Sequence, residues 1–442
     1  MIPPIAKATN PIFDTLTDAV LGIELRRFSC VGLVADCLRR IDALEPEIQA
    51  WVSVDADGAI AAARSSDARR RAGSPLSRLD GIPFGVKDII DVAGWPTMAG
   101  FAPWKNRVAS ADASIVAEMK RIGMIPLGKT VTTQFASIDP PATRNPWNLD
   151  RTPGGSSSGS CAAVACRMVP LALGSQTGGS INRPASFCGV SGLKLAFGDW
   201  PVDGVVPCAE RLDTLGPIVP DAQDLSVLLT AVFPEAGQEL RTANDDRHDK
   251  LRILNIGGRF RDLAEPAMNE AVAFALERLA ACGHQVETDD CTDFFDEALW
   301  DVHRIVMMGG CYRTHRDWFA EHPGDYRPKI QGWVETGKEL IRNKPEAVAA
   351  AEKAQVELCQ KLLRRFVGFD ALLVPAARGS APTPETTGDP VMNAPWTLLG
   401  VPSLTVPVRL SSDGLPLGVQ IVSVGRDRAA LEHIILAAKA LR

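Results

Sequence analysis

Two runs of glycine and serine hold the side chains best suited to chemistry. The first reads Gly154-Gly155-Ser156-Ser157-Ser158-Gly159-Ser160 and the second Gly174-Ser175-Gln176-Thr177-Gly178-Gly179-Ser180. A serine hydroxyl is a weak nucleophile at neutral pH until a base takes its proton. The histidines His248, His284, His303, His315, His322 and His433 all lie away from both runs in sequence. Lysine can act as the base only when uncharged, and burial favours that form. Lys87 directly follows the apolar stretch Ile82-Pro83-Phe84-Gly85-Val86, so a buried position is expected for it; a solvated surface lysine is the plainer alternative. The second run also offers consecutive backbone N–H groups from Thr177 to Ser180. Glycines let such groups approach an oxyanion closely, or they serve only a tight turn.

Three short patterns compete for attention by letter. Gly123-Met124-Ile125-Pro126-Leu127-Gly128-Lys129-Thr130 fits G-x-x-x-x-G-K-T. A phosphate loop must follow a strand and open a helix, whereas here the middle residues read as a strand after a helix. Gly155-Ser156-Ser157-Ser158-Gly159 fits the nucleophile elbow centred on Ser157. The elbow needs an apolar strand before it, and Arg151-Thr152-Pro153 is not one. Ser191-Gly192-Leu193-Lys194 fits S-x-x-K, but Gly192 weakens the helical turn this motif requires, so Lys194 is expected to be structural.

The elements that position the two runs follow from periodicity. Residues 14–72 read as helical, with Ser29 capping a helix whose apolar face includes Val31, Val34, Ala35 and Leu38. Residues 81–88 read as a strand running into a turn, 110–121 as a helix, and 124–128 as a buried strand. The apolar stretch Ala162 to Leu173 between the runs argues against a flexible linker and for a buried helix and strand. Met268, Val272, Leu276 and Leu279 form a helical stripe from Pro266 to Gly283. Alternation on either side of Asp413-Gly414 predicts a hairpin, and Asp427 opens a last helix. Strands and helices intermingle throughout. This predicts an α/β fold, one domain over 1–442, with a core at about 81–218 and a variable, substrate-shaping segment at about 230–365.

A net charge of −6 gives no basic surface for nucleic acid or an anionic membrane. No stretch approaches the roughly 20 apolar residues of a membrane span. The start MIPPIAKATN lacks the pattern of an export signal, so a cytoplasmic location is the expectation. The ten cysteines contain no Cys-x-x-Cys pair and read as reduced core thiols. No His or Cys spacing suits a metal.

The region 81–218 resembles the amidase signature family. The residues that carry the likeness are Gly85-Val86-Lys87-Asp88, both Gly/Ser runs, Arg183-Pro184-Ala185, Phe187-Cys188-Gly189-Val190-Ser191-Gly192-Leu193-Lys194 and Leu212-Asp213-Thr214-Leu215-Gly216-Pro217. Val401-Pro402-Ser403 and the segment from Gly414 to Gln420 extend it toward the C-terminus. The resemblance implies a central mixed β-sheet surrounded by helices. It also implies a Ser–cis-Ser–Lys triad with Ser180 as nucleophile, Ser156 as relay and Lys87 as base. Ser156 capping the following helix is the plainer reading of that residue.

Two features depart from the commonest family pattern. Gln176 stands where many members have Asp, and Arg183 falls three residues after Ser180 rather than two. Both are similar to the malonamidase-like branch, as is Phe135-Ala136-Ser137-Ile138-Asp139-Pro140. They tell against a tRNA amidotransferase subunit. The implied activity is hydrolysis of a small linear amide through an acyl-enzyme, with the N–H groups of Thr177, Gly178 and Gly179 as the oxyanion hole. Arg183 would bind a malonamate-like carboxylate or form a structural ion pair. The alternatives are carbamate, ester or aryl-amide hydrolysis, or the role of a glutamyl-tRNA amidotransferase subunit. The implied partner is a small-molecule amide, with no cofactor, and a homodimer is left open.

Overall fold

The computed structural model describes residues 1–233 and 250–441. His248 lies outside the described residues. The strands are β1 (Trp51–Val54), β2 (Pro83–Lys87), β3 (Ile125–Thr130), β4 (Ala172–Gln176), β5 (Ser191–Lys194), β6 (Thr214–Val219), β7 (Arg252–Ile256), β8 (Gln285–Asp289), β9 (Ala371–Pro375), β10 (Ser403–Leu410) and β11 (Pro416–Ser423). They join in one eleven-stranded sheet, in the order β1-β3-β2-β4-β6-β5-β10-β11-β9-β7-β8. Parallel pairing links β3, β2 and β4 on one side and β9, β7 and β8 on the other. The strands between pair antiparallel. This is the mixed α/β sheet expected from the sequence.

The fold near the site follows from the pairing of β2 with β4. Gly85 faces Ala172 and Val86 faces Leu173 in parallel register. Every residue of both strands is buried, as befits parallel strands covered on both faces. Because they run in the same direction, their carboxyl ends open at one edge. Lys87 ends β2 and Thr177 follows β4 directly, so both emerge together. Crevices at the carboxyl ends of parallel strands are where α/β sheets bind ligands.

Between the two runs lies the predicted buried helix, Ser158–Ala165, with all eight residues buried. Gly159 is required by close packing: a Cβ there would lie 2.2 Å from the Ala50 carbonyl oxygen and 2.4 Å from the Val131 nitrogen. Ser156 and Ser157 precede this helix, which anchors them against the sheet.

Other expectations were met in part. Ser29 does cap a helix, Cys30–Ile48, accepting from the Gly32 N–H at 3.0 Å. The buried face is Cys30, Leu33, Val34, Cys37, Ile41 and Leu44, so of the four residues expected only Val34 is fully buried. The stretch 14–72 is also broken by β1, three of whose residues, Trp51, Ser53 and Val54, pair with β3. The predicted hairpin is β10–β11, and Asp427 caps the last helix, Arg428–Lys439. No helix among the described residues is long and apolar enough to cross a membrane.

The letter matches resolve as structure. Residues 125–130 of the G-x-x-x-x-G-K-T stretch are β3, and Lys129 pairs with Asp88 at 3.1 Å, both buried. Ser191–Lys194 is strand β5, and Lys194 donates to the Leu195 carbonyl at 3.0 Å. Ser157 Oγ donates to the Ser175 carbonyl at 3.3 Å.

Candidate active site

Lys87 is fully buried. Its Nζ lies 2.7 Å from Ser156 Oγ and 2.8 Å from Ser175 Oγ, with the Ser175 carbonyl at 3.4 Å. Burial pulls its pKa down to about 7, because the lost hydration of the ammonium outweighs the attraction of nearby groups such as Asp213. An uncharged amine there can donate to Ser175 and turn its lone pair toward the Ser156 hydroxyl. The peptide between Gly155 and Ser156 is cis, and Ser156 is fully buried. Lys194 is also pulled to about 7 by burial. Geometry separates the two lysines, since Lys194 meets a backbone carbonyl rather than a serine.

Ser180 sits at the end of the second run, with the Ser157 N–H donating to its carbonyl at 3.2 Å. The four carbonyls of this stretch are all engaged. Thr177 O meets His303 Nε2 at 3.1 Å, and Gly178 O accepts from Thr397 Oγ1 at 2.9 Å. Gly179 O accepts from the Arg183 N–H at 3.0 Å. The N–H groups of Thr177, Gly178, Gly179 and Ser180, by contrast, meet no acceptor among the described residues. Engaged carbonyls with free amides leave a row of donors available to a bound group.

Several side chains with no role in the sequence reading hold this row. Gln176 accepts from the Ile181 and Asn182 N–H groups at 2.8 and 3.0 Å and donates to Asn182 Oδ1 and Thr397 Oγ1. Thr177 Oγ1 donates to Asp213 Oδ1 at 2.5 Å, and Asp213 Oδ2 accepts the Cys208 and Ala209 N–H groups. Ser175, Gln176 and Asp213 lie inside quoted motifs and could have been found there. His303 and Thr397 carry no local signal, because the fold alone brings them to the loop.

Thr177, Gly178, Gly179, Ser180 and Arg183 line a cavity of about 300 Å³. Ile138, Trp300, Met307, Met308 and Trp333 also line it. Arg183 is buried, and its guanidinium is mostly committed to structure. Nε donates to Thr387 O at 2.7 Å and Nη2 to Gly155 O at 2.7 Å. Only Nη1 is buried without a partner. One nitrogen of the guanidinium is thus left to meet a group in the cavity. Among the described residues Arg183 forms no ion pair; its bonded partners are the backbone oxygens and the Thr387 hydroxyl.

A mixed sheet that opens a cleft holding Ser180 at the ends of parallel strands, with a buried lysine behind it, is the architecture of an α/β enzyme. The family model for amidases matches residues 32–430, and the chain belongs to the amidase family. It is a hydrolase of amide carbon–nitrogen bonds. The chain is similar to a glutamyl-tRNA(Gln) amidotransferase subunit of Myxococcus xanthus, with 33% identity over 450 residues, covering 90% of each protein. Among solved structures it is similar to a chain from an unexpected vestigial protein complex that bears on the evolutionary origins of an s-triazine catabolic enzyme. The TM-score is 0.85 at 28% identity, covering 97% of this chain and 98% of that one. A crystal structure of an amidase matches with TM-score 0.84 at 26% identity, covering 96% and 98%.

Proposed function

We propose that this amidase hydrolyses a small linear amide through Ser180, with Ser156 as relay and Lys87 as base. The carrying observation is the buried Lys87 Nζ 2.7 Å from Ser156 Oγ. Uncharged Lys87 takes a proton from Ser156, which takes one from Ser180 as its oxygen bonds to the amide carbon. The resulting oxyanion is held by N–H groups of Thr177, Gly178 and Gly179; one such donor is worth roughly 3–4 kcal/mol of barrier. The relay then protonates the leaving nitrogen, the carbon–nitrogen bond breaks, and ammonia or an amine departs. Water enters by the same route, reversing the proton transfers, and releases the acid. The same machinery would serve a carbamate, ester or aryl amide. The continuous sheet supports reading the chain as one domain.

A cavity of about 300 Å³ supports a small acyl group. The unpartnered Arg183 Nη1 supports an oxygen-bearing distal group such as a carboxylate, in keeping with the malonamidase-like features around Gln176 and Arg183. The Myxococcus xanthus relative favours a second reading, an amidotransferase subunit that passes ammonia to a partner enzyme. Ammonia release from acidic and neutral small amides by the purified chain tests both. Turnover by the chain alone, lost in Ser180→Ala and Lys87→Ala, supports the first reading. Activity only in the presence of a partner protein supports the second, and full activity in either variant overturns the role assignment.

A further inference from the structure

We infer that His303 is a positioning residue for the oxyanion loop, delivered by the helix that also walls the substrate cavity. The inference rests on the proposed role of Ser180 and of the amides that precede it. His303 lies on the helix Glu297–Glu321 and is buried. Its Nε2 is 3.1 Å from the Thr177 carbonyl oxygen. A carbonyl only accepts, so Nε2 carries the hydrogen. Burial holds the imidazole pKa down at about 4, so the ring is neutral at neutral pH, and protonation would keep the same donor in place.

The consequence follows from the peptide unit. The Thr177 carbonyl and the Gly178 N–H belong to one planar amide. A donor on that carbonyl fixes the plane and polarises the unit, which strengthens the N–H at its other end. His303 therefore aims and strengthens the Gly178 amide from behind. The ring also lies against Gly178, where a Cβ would stand 3.7 Å from His303 Cε1. Thr397 loads the Gly178 carbonyl in the same way and so supports the Gly179 N–H. From the front, these amides meet no acceptor among the described residues. Trp300, Arg304, Met307 and Met308 on the same helix line the cavity, so one element both shapes the substrate site and sets the loop.

The test uses a fluorophosphonate probe on the full chain, reading the maximal labelling rate and the half-saturating probe concentration separately. His303→Ala should lower the maximal rate about tenfold, a part of the roughly 10²- to 10³-fold that losing a whole oxyanion donor costs. The half-saturating concentration should stay within about twofold, as expected for a group acting only as charge develops. His303→Gln, whose Nε2 can replace the ring donor, should recover most of the rate. An unchanged rate in folded His303→Ala overturns the inference. So does an equal shift in both parameters, or a His303→Gln protein as impaired as His303→Ala. If the unaltered chain is not labelled at Ser180, the proposed function fails first and separately.

Discussion

At the scale of the residue, the base proposed for the reaction, Lys87, carries a cost in stability. Its pKa in the folded chain is about 7 against an ordinary 10.5. Between these values the unfolded chain binds more protons, so stability rises with pH across that window and the cost is complete below it. Activity should rise with pH in kcat/KM with a midpoint near 7, as the ammonium loses its proton. Lys87→Met should abolish turnover and yet raise stability at pH 6 by a few kcal/mol, each pKa unit being worth about 1.4 kcal/mol. Thermal melts and a pH–rate series check both. Lys194→Met should also stabilise, since Lys194 is likewise pulled to about 7, but it should leave the rate profile in place; loss of the basic limb would move the base to Lys194. Gly179→Ala should lower kcat about tenfold or more by misplacing the loop, because its Cβ would stand 2.5 Å from Asn393 Oδ1 and 2.8 Å from Arg183 Nη1.

At the scale of the element, Gln176 ties the end of β4 to the helix Asn182–Cys188. Gln176→Ala should cost roughly 2–4 kcal/mol by leaving two buried amides without a partner, measured as a shift in denaturation midpoint. What was legible in the sequence follows from the range of each signal. Strand β2, the helix between the runs, the β10–β11 hairpin and the Asp427 cap announce themselves through local pattern. The face of the helix Cys30–Ile48 was misjudged because Asp36 and Arg40 are buried too. Asp36 is engaged with Arg39, and Arg40 with backbone oxygens near residues 166 and 167, so polarity there does not mark exposure. Strand β1 was missed since four residues between two helices carry almost no periodicity. In the site, the motif residues were legible from resemblance, whereas His303 and Thr397 reach the loop only through tertiary packing.

At the scale of the whole molecule, the segment 297–333 is joined to the signature region by polar and aromatic contacts. Gln134 accepts from the Arg327 N–H and donates to the Asp325 carbonyl. Asp139 accepts the Lys329 and Ile330 N–H groups at 3.1 and 3.0 Å, capping the helix Pro328–Asn343. That helix bears Trp333 of the cavity wall. Asp139→Ala should therefore raise KM severalfold with less effect on kcat, and cost about 1 kcal/mol of stability; steady-state kinetics with any amide that the chain turns over decides it. The helix Glu297–Glu321 has an implication for chimaeras. Grafting it from one relative to another to change substrate choice also exchanges the imidazole behind Gly178. A graft that keeps the donor foot and alters only Trp300, Met307 and Met308 should retain its catalytic vigour; one that discards it should recognise a new molecule and hardly convert it.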